Sequence, residues 1–84
     1  MKKAVALKYD RLKDNAPKVT AKGKGVAAEN IIKIAKLHDL PIREDKDLVE
    51  MLAAVELDRE IPQNLYKAVA EVFIFIYNTT NKTR

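Results

Sequence analysis

Apolar and polar positions alternate through "MKKAVALKYD". Val5, Leu7 and Tyr9 fall on one side, with Ala4, Ala6 and Lys8 on the other. A period of two in residues that favour extended backbone predicts a strand. "DRLKDNAP" is polar and ends in proline, which predicts a loop. "KVTAKG" alternates again, with Val19 and Ala21 opposed to Lys18, Thr20 and Lys22, and Gly23 and Gly25 end it. The period then changes. In "VAAENIIKIAKLHDL", Ala27, Ile31, Ile34 and Ala35 share one helical face, Ala28, Ile32 and Leu37 lie beside it, and Glu29, Asn30, Lys33 and Lys36 take the rest.

Pro41 stops that helix, and "PIRE" reads as a third, short strand. Strand, helix and strand in that order predict a parallel pair with a right-handed crossover. A second helix follows, with Asp45 as N-cap and Leu48, Leu52 and Val55 inward. Pro62 sits where a first helical position tolerates it. "QNLYKAVAEVFIFIY" then places Leu65, Val69, Val72 and Ile76 on one stripe, flanked by Tyr66 and Phe73. Its end, "VFIFIY", would suit a strand as well, but length and "YKAVAEV" favour helix. The predicted class is α/β (α+β): a small mixed sheet of three strands, in the order β-β-α-β-α-α, packed with three helices. Residues 1–78 form one domain on this reading, and 79–84 a polar, flexible tail.

The sheet is the weak point of this architecture. Three short strands leave two edges, and the first strand is apolar enough to want a neighbour. An uncovered edge of that kind is a pairing template, and Lys2, Lys3 and Lys8 protect it in part.

At 84 residues with 48% apolar content, the chain suits one small globular core. It has no cysteine, which excludes disulfides and thiolate metal sites. No apolar run reaches the roughly 18 residues that span a bilayer, and the N-terminal pattern does not fit a signal peptide, so the expected setting is cytoplasmic. Charge is uneven. Residues 1–25 hold eight basic and two acidic side chains (+6), and the remainder eight basic and ten acidic (−2). Such asymmetry fits either a solvated lysine-rich face or a surface that meets something acidic, nucleic acid included.

Candidate chemistry is sparse. His38, the single histidine, lies at a helix end beside Asp39, where a capping role accounts for it. Glu44, Asp45 and Asp47 lack the glycine and spacing of a calcium loop and serve a helix N-terminus instead. "AKGKG" lacks the spacing of phosphate-binding loops, so turn geometry explains it better. No nucleophile has an evident base. The chain reads as a non-enzyme without cofactor or metal.

Three blocks carry a family resemblance: "AVALKYD", "APKVTAKGKG" and "IPQNLYKAVAEV". In order and spacing they closely resemble the C-terminal cytoplasmic domain of the FlhB/YscU/SpaS family of export switch proteins, from Ala4 to about Tyr77. The resemblance implies a small mixed sheet surrounded by helices and a part in type III protein export. It places the domain at the cytoplasmic face of the membrane export apparatus, helping to choose which substrates pass. Implied partners are flagellar export gate proteins, export substrates or chaperones, and the N-terminal part of a full-length switch protein. Neither nucleic acid nor direct membrane insertion is expected; a small basic nucleic-acid-binding domain is the alternative from charge alone.

Family members carry an Asn-Pro-Thr-His turn that cleaves itself before the segment matching "AVALKYD". Here Ala16, Leu40 and Ile61 precede the three prolines, so that chemistry has no substrate bond in this sequence. The chain reads as a stand-alone counterpart of the cleaved fragment, natural or trimmed. The strand that precedes the motif in relatives would then be supplied in trans along Val5, Ala6, Leu7, Lys8 and Tyr9. The resemblance also implies a substrate-binding patch at Ala16, Pro17, Ala70 and Phe73; the alternative is that Phe73 is core and Pro17 only shapes its loop. Asp58 stands where the family usually has glycine, and Glu50 where it often has a basic residue.

Overall fold

The computed structural model describes residues 2–82, with side chains as far as Asn78. Two strands, β1 (Lys3–Lys8) and β2 (Lys18–Lys24), precede three helices, α1 (Val26–Leu37), α2 (Lys46–Ala53) and α3 (Tyr66–Lys82). A single 3-10 turn, Gln63–Leu65, leads into α3. Pro62 therefore caps that turn and does not occupy the first position of the helix.

β1 and β2 pair antiparallel, from Lys3 opposite Lys24 to Lys8 opposite Lys18, with a bulge between Ala6 and Leu7. The ribbon has two unlike faces. Ala4 pairs with Gly23 and Ala6 with Ala21, and this small-residue face receives α1. A Cβ on Gly23 would come within 2.7 Å of the Ala27 Cβ, so a side chain there would push the helix away. Gly25, at φ 63°, turns the chain from β2 into α1 in a conformation that favours glycine.

The other face holds the main core. Val19 is fully buried, and with Ala16, Leu48, Leu52, Ile61, Leu65 and Val69 it forms one cluster against which Val5, Leu7, Val72 and Phe73 pack. The ribbon is thus a middle layer between α1 and the α2–α3 pair. α2 begins as its sequence predicts, with the Asp45 carboxylate accepting from the Leu48 amide at 3.0 Å. Its end is held by Lys22, whose ammonium donates to the Ala53 and Val55 carbonyls at 3.0 and 2.8 Å. Lys3 reaches Glu50 at 2.7 Å and ties the same helix to β1.

The α+β class holds, but the third strand does not form. Residues 41–44 carry no strand, so the parallel pair and its crossover are absent among the described residues. A strand needs a partner at ladder distance, and this segment is engaged otherwise. Pro41 has no donor, the Arg43 guanidinium sits 4.6 Å from the centre of the Phe75 ring, and Asp45 caps α2. "VFIFIY" is helical, as its length predicts. α3 continues to Lys82, so "NTTNK" prolongs the helix; Thr83 and Arg84, from the expected tail, lie outside the described residues.

Candidate functional site: an apolar groove and an open strand edge

Residues Tyr66, Val69, Ala70, Phe73 and Ile74 recur at the three- and four-residue spacing that puts them on one stripe of α3. Opposite them stand Tyr9, just past the end of β1, and the Asn15–Pro17 loop. Together they enclose a largely apolar groove of about 370 Å³. Tyr9 and Phe73 pack as a tilted pair, ring centroids 6.4 Å apart, which joins the two walls.

The loop wall is fixed by its own hydrogen bonds. The Asp10 carbonyl accepts from the Lys13 and Asp14 amides at 3.0 and 2.7 Å, and its carboxylate accepts from the Leu12 amide at 3.0 Å. In return the Asp10 amide donates to the Asp14 carboxylate at 3.2 Å, and Lys18 lies 3.3 Å from it. That amide, with Lys18 beside it, holds the Asp14 carboxyl below its usual range despite partial burial. The Asn15 amide donates to Glu60 at 3.0 Å, and the Pro17 carbonyl accepts from the Ile61 amide at 2.9 Å. The loop is therefore a built turn, presented rigidly to the groove.

The four patch residues expected from the family resemblance all line this groove, in different ways. Ala70 is exposed, and Pro17 and Phe73 are half-buried. Ala16 is only 2% exposed and belongs to the core cluster, so it forms floor and offers little surface of its own. Periodicity put Val69 on one stripe of this helix with Leu65, Val72 and Ile76, and set Tyr66 and Phe73 on its flanks. Tyr9 and Asn15 join the groove through the tertiary approach of loop and helix, for which no local pattern exists, whereas Ile74 follows Ala70 by one turn of α3.

The second feature is the strand edge. The Gly25 amide donates to the Lys2 carbonyl at 2.7 Å. Antiparallel alternation then aims the backbone groups of Lys3, Val5 and Leu7 away from β2. Among the described residues no backbone group pairs with that edge. The outer edge of β2, by contrast, is covered at its start. Val19 exchanges bonds with Arg59 and Asp58 at 3.1 and 2.7 Å, and Lys18 bridges to Glu60. Of the five residues expected on the open edge, Val5, Ala6, Leu7 and Lys8 lie in β1. Tyr9 falls one residue past the strand, with its ring against Phe73.

No acid–base constellation accompanies these surfaces. His38 caps the C-terminus of α1 through its amide, and Asp45 caps α2. Among the described residues no group of acidic or histidine side chains has the arrangement of a metal site, and no helix is long and apolar enough to cross a membrane.

Known proteins share both sequence and shape. YlqH of Bacillus subtilis, an uncharacterised protein, is 54% identical over 77 residues, covering 92% of this chain and 83% of its own. The flagellar biosynthetic protein FlhB of Aquifex aeolicus is 45% identical over 74 residues, covering 87% of this chain but 21% of its own length. The chain thus spans about a fifth of that relative. Among solved structures, the cytoplasmic domain of FlhB from Shewanella putrefaciens superposes with a TM-score of 0.92 at 30% identity, over 96% of this chain and 67% of that one. A mutated EscU/SpaS C-terminal domain follows at 0.85 and 27%, over 90% and 95%. The model of the FlhB, HrpN, YscU and SpaS family matches residues 1–76. With nearly its whole length matched, the chain belongs to the FlhB/HrpN/YscU/SpaS family.

Proposed function

We propose that this chain is a non-catalytic docking module of flagellar type III export, a counterpart of the C-terminal domain of the export switch protein that contributes to substrate choice. The observation that carries the reading is the groove. Two pairs of residues selected by motif, Ala16 with Pro17 and Ala70 with Phe73, lie more than fifty positions apart in sequence and converge on one apolar concavity whose loop wall is pre-ordered. A pre-ordered concave site loses little entropy on binding and suits an apolar anchor from an export substrate or its chaperone.

The open edge of β1 supplies the second contact. Its outward amides and carbonyls are free to receive an extended segment from a partner, such as the N-terminal part of a full-length switch protein or an export gate component. Basic charge is all that favours nucleic acid, and neither groove nor edge adds to that reading.

Replacement of Ala70 by Asp tests the groove. Ala70 is exposed, so the variant is expected to keep its circular dichroism and melting temperature. A carboxylate forced against an apolar anchor weakens binding by about tenfold or more. Measured affinity for a flagellar export substrate or its chaperone that equals wild type rules the groove out. An unfolded variant would place Ala70 in the core and contradict the exposed position on which the reading rests.

A further inference from the structure

The two walls of the groove are tied together by backbone. Residues 58–61 run antiparallel to residues 17–19. The Val19 amide donates to the Arg59 carbonyl at 3.1 Å, the Asp58 amide to the Val19 carbonyl at 2.7 Å, and the Ile61 amide to the Pro17 carbonyl at 2.9 Å. From Ile61 the chain passes through Pro62 and the Gln63–Leu65 turn straight into Tyr66, the first groove residue of α3. Ile61 and Leu65 are both buried in the main core, so this lead-in holds its place.

Glu60 sits within that lead-in, half-buried, with its backbone bridged to Lys18. Its carboxylate accepts from the Asn15 amide at 3.0 Å. Asn15 lines the groove and Glu60 does not. The other side-chain bonds of the loop run between Asp10, Leu12 and Asp14 or from Lys18 to Asp14, and they fix the shape of the loop alone. Among the described residues, Glu60 makes the one side-chain hydrogen bond from the lead-in of α3 to the loop, and it forms no ion pair. An amide bonded to a carboxylate is held more strongly than one bonded to a neutral acceptor.

We propose that Glu60 is a positioning residue for the groove. By holding the Asn15 amide it sets the distance between the loop wall and α3, and so the affinity for an apolar anchor, without touching that anchor. This role rests on the docking function given to the groove above. A loop released from Glu60 has to be ordered again when the groove fills, and that ordering is subtracted from the affinity.

Fluorescence titration of the full chain with N-phenyl-1-naphthylamine, a neutral apolar probe, separates the positioning role from the groove itself. Ala70→Asp is expected to weaken probe binding by about tenfold, which places the probe in the groove. Glu60→Ala is expected to weaken it by about fivefold while the circular dichroism stays that of the folded chain. The Asn15 amide should then exchange faster with solvent. Glu60→Gln keeps an oxygen that accepts from that amide and is expected to bind within about twofold of wild type. Wild-type affinity in Glu60→Ala, with Ala70→Asp impaired, overturns the positioning role and leaves the groove standing. Equal losses in Glu60→Ala and Glu60→Gln would make charge the cause and overturn it as well. An unfolded Glu60→Ala does the same, since the residue would then serve the whole fold. Wild-type affinity in Ala70→Asp removes the groove as the apolar site, and the positioning role with it.

Discussion

Two aspartates stand where the backbone asks for glycine. Asp39 has φ 55° at the end of α1, and Asp58 has φ 63° in the turn before residues 59–61 pair with β2. The left-handed region costs an L-residue about 1 kcal/mol or more, with Asp among the more tolerant. Glycine removes that strain but adds entropy to the unfolded chain. On balance, Asp39→Gly and Asp58→Gly are each expected to stabilise by about 0.5 kcal/mol, a rise of about 2–4 °C in melting temperature for a domain of this size. A fall would show that the aspartate side chains themselves support their turns. Glu50 meets Lys3, which holds its carboxyl below the usual range. The pair is exposed, so its effect is to aim α2 along β1 more than to add stability.

Most elements were legible at their own scale, since each of the five regular elements has its own periodicity in sequence. Asp45 announces the start of α2, and Pro41 the end of the preceding segment. "PIRE" misled for a physical reason: a strand is a property of a pair, and a four-residue run with one apolar side chain holds no information about where its partner lies. The groove was legible by halves. Its α3 wall follows in part from spacing, which set Tyr66 and Phe73 beside the stripe of Leu65, Val69, Val72 and Ile76, whereas its opposite wall depends on hydrogen bonds at Asp10, Asp14 and Glu60 that fold the loop back. The burial of Ala16 has the same origin. At this scale β1 makes a pattern that amide exchange can read. The amides of Ala4, Ala6 and Lys8, aimed at β2, are expected to exchange slowly, and those of Val5 and Leu7 fast. Addition of an extended peptide that docks on the edge should slow the second set. If Val5 and Leu7 are already protected in the free monomer, the edge is closed and docking along it fails.

At the scale of the whole molecule, one face of the ribbon and the inner faces of α2 and α3 supply the core, and α1 packs on the other face. The groove and the β1 edge are the surfaces on which the proposed docking role rests. A chain of 84 residues buries only about 60% of its unfolded surface, so it has little stability to spare for strained chemistry. A module that works by contact, with a rigid loop and an unpaired edge, asks less of such a fold than a catalytic site would. The family's full-length members are about five times longer than this match, and the surfaces described here are those that the 84 residues keep to themselves.

The most direct test is a nuclear magnetic resonance titration of the module with a flagellar export substrate, alone or with its chaperone. The backbone signals of Asn15, Ala70, Phe73 and Ile74 should shift together and saturably, while those of Glu29, Asn30 and Lys33 on the outward side of α1 stay in place. Saturable shifts centred on any other surface, or none at substrate concentrations well above the micromolar range, would contradict a docking role for the groove.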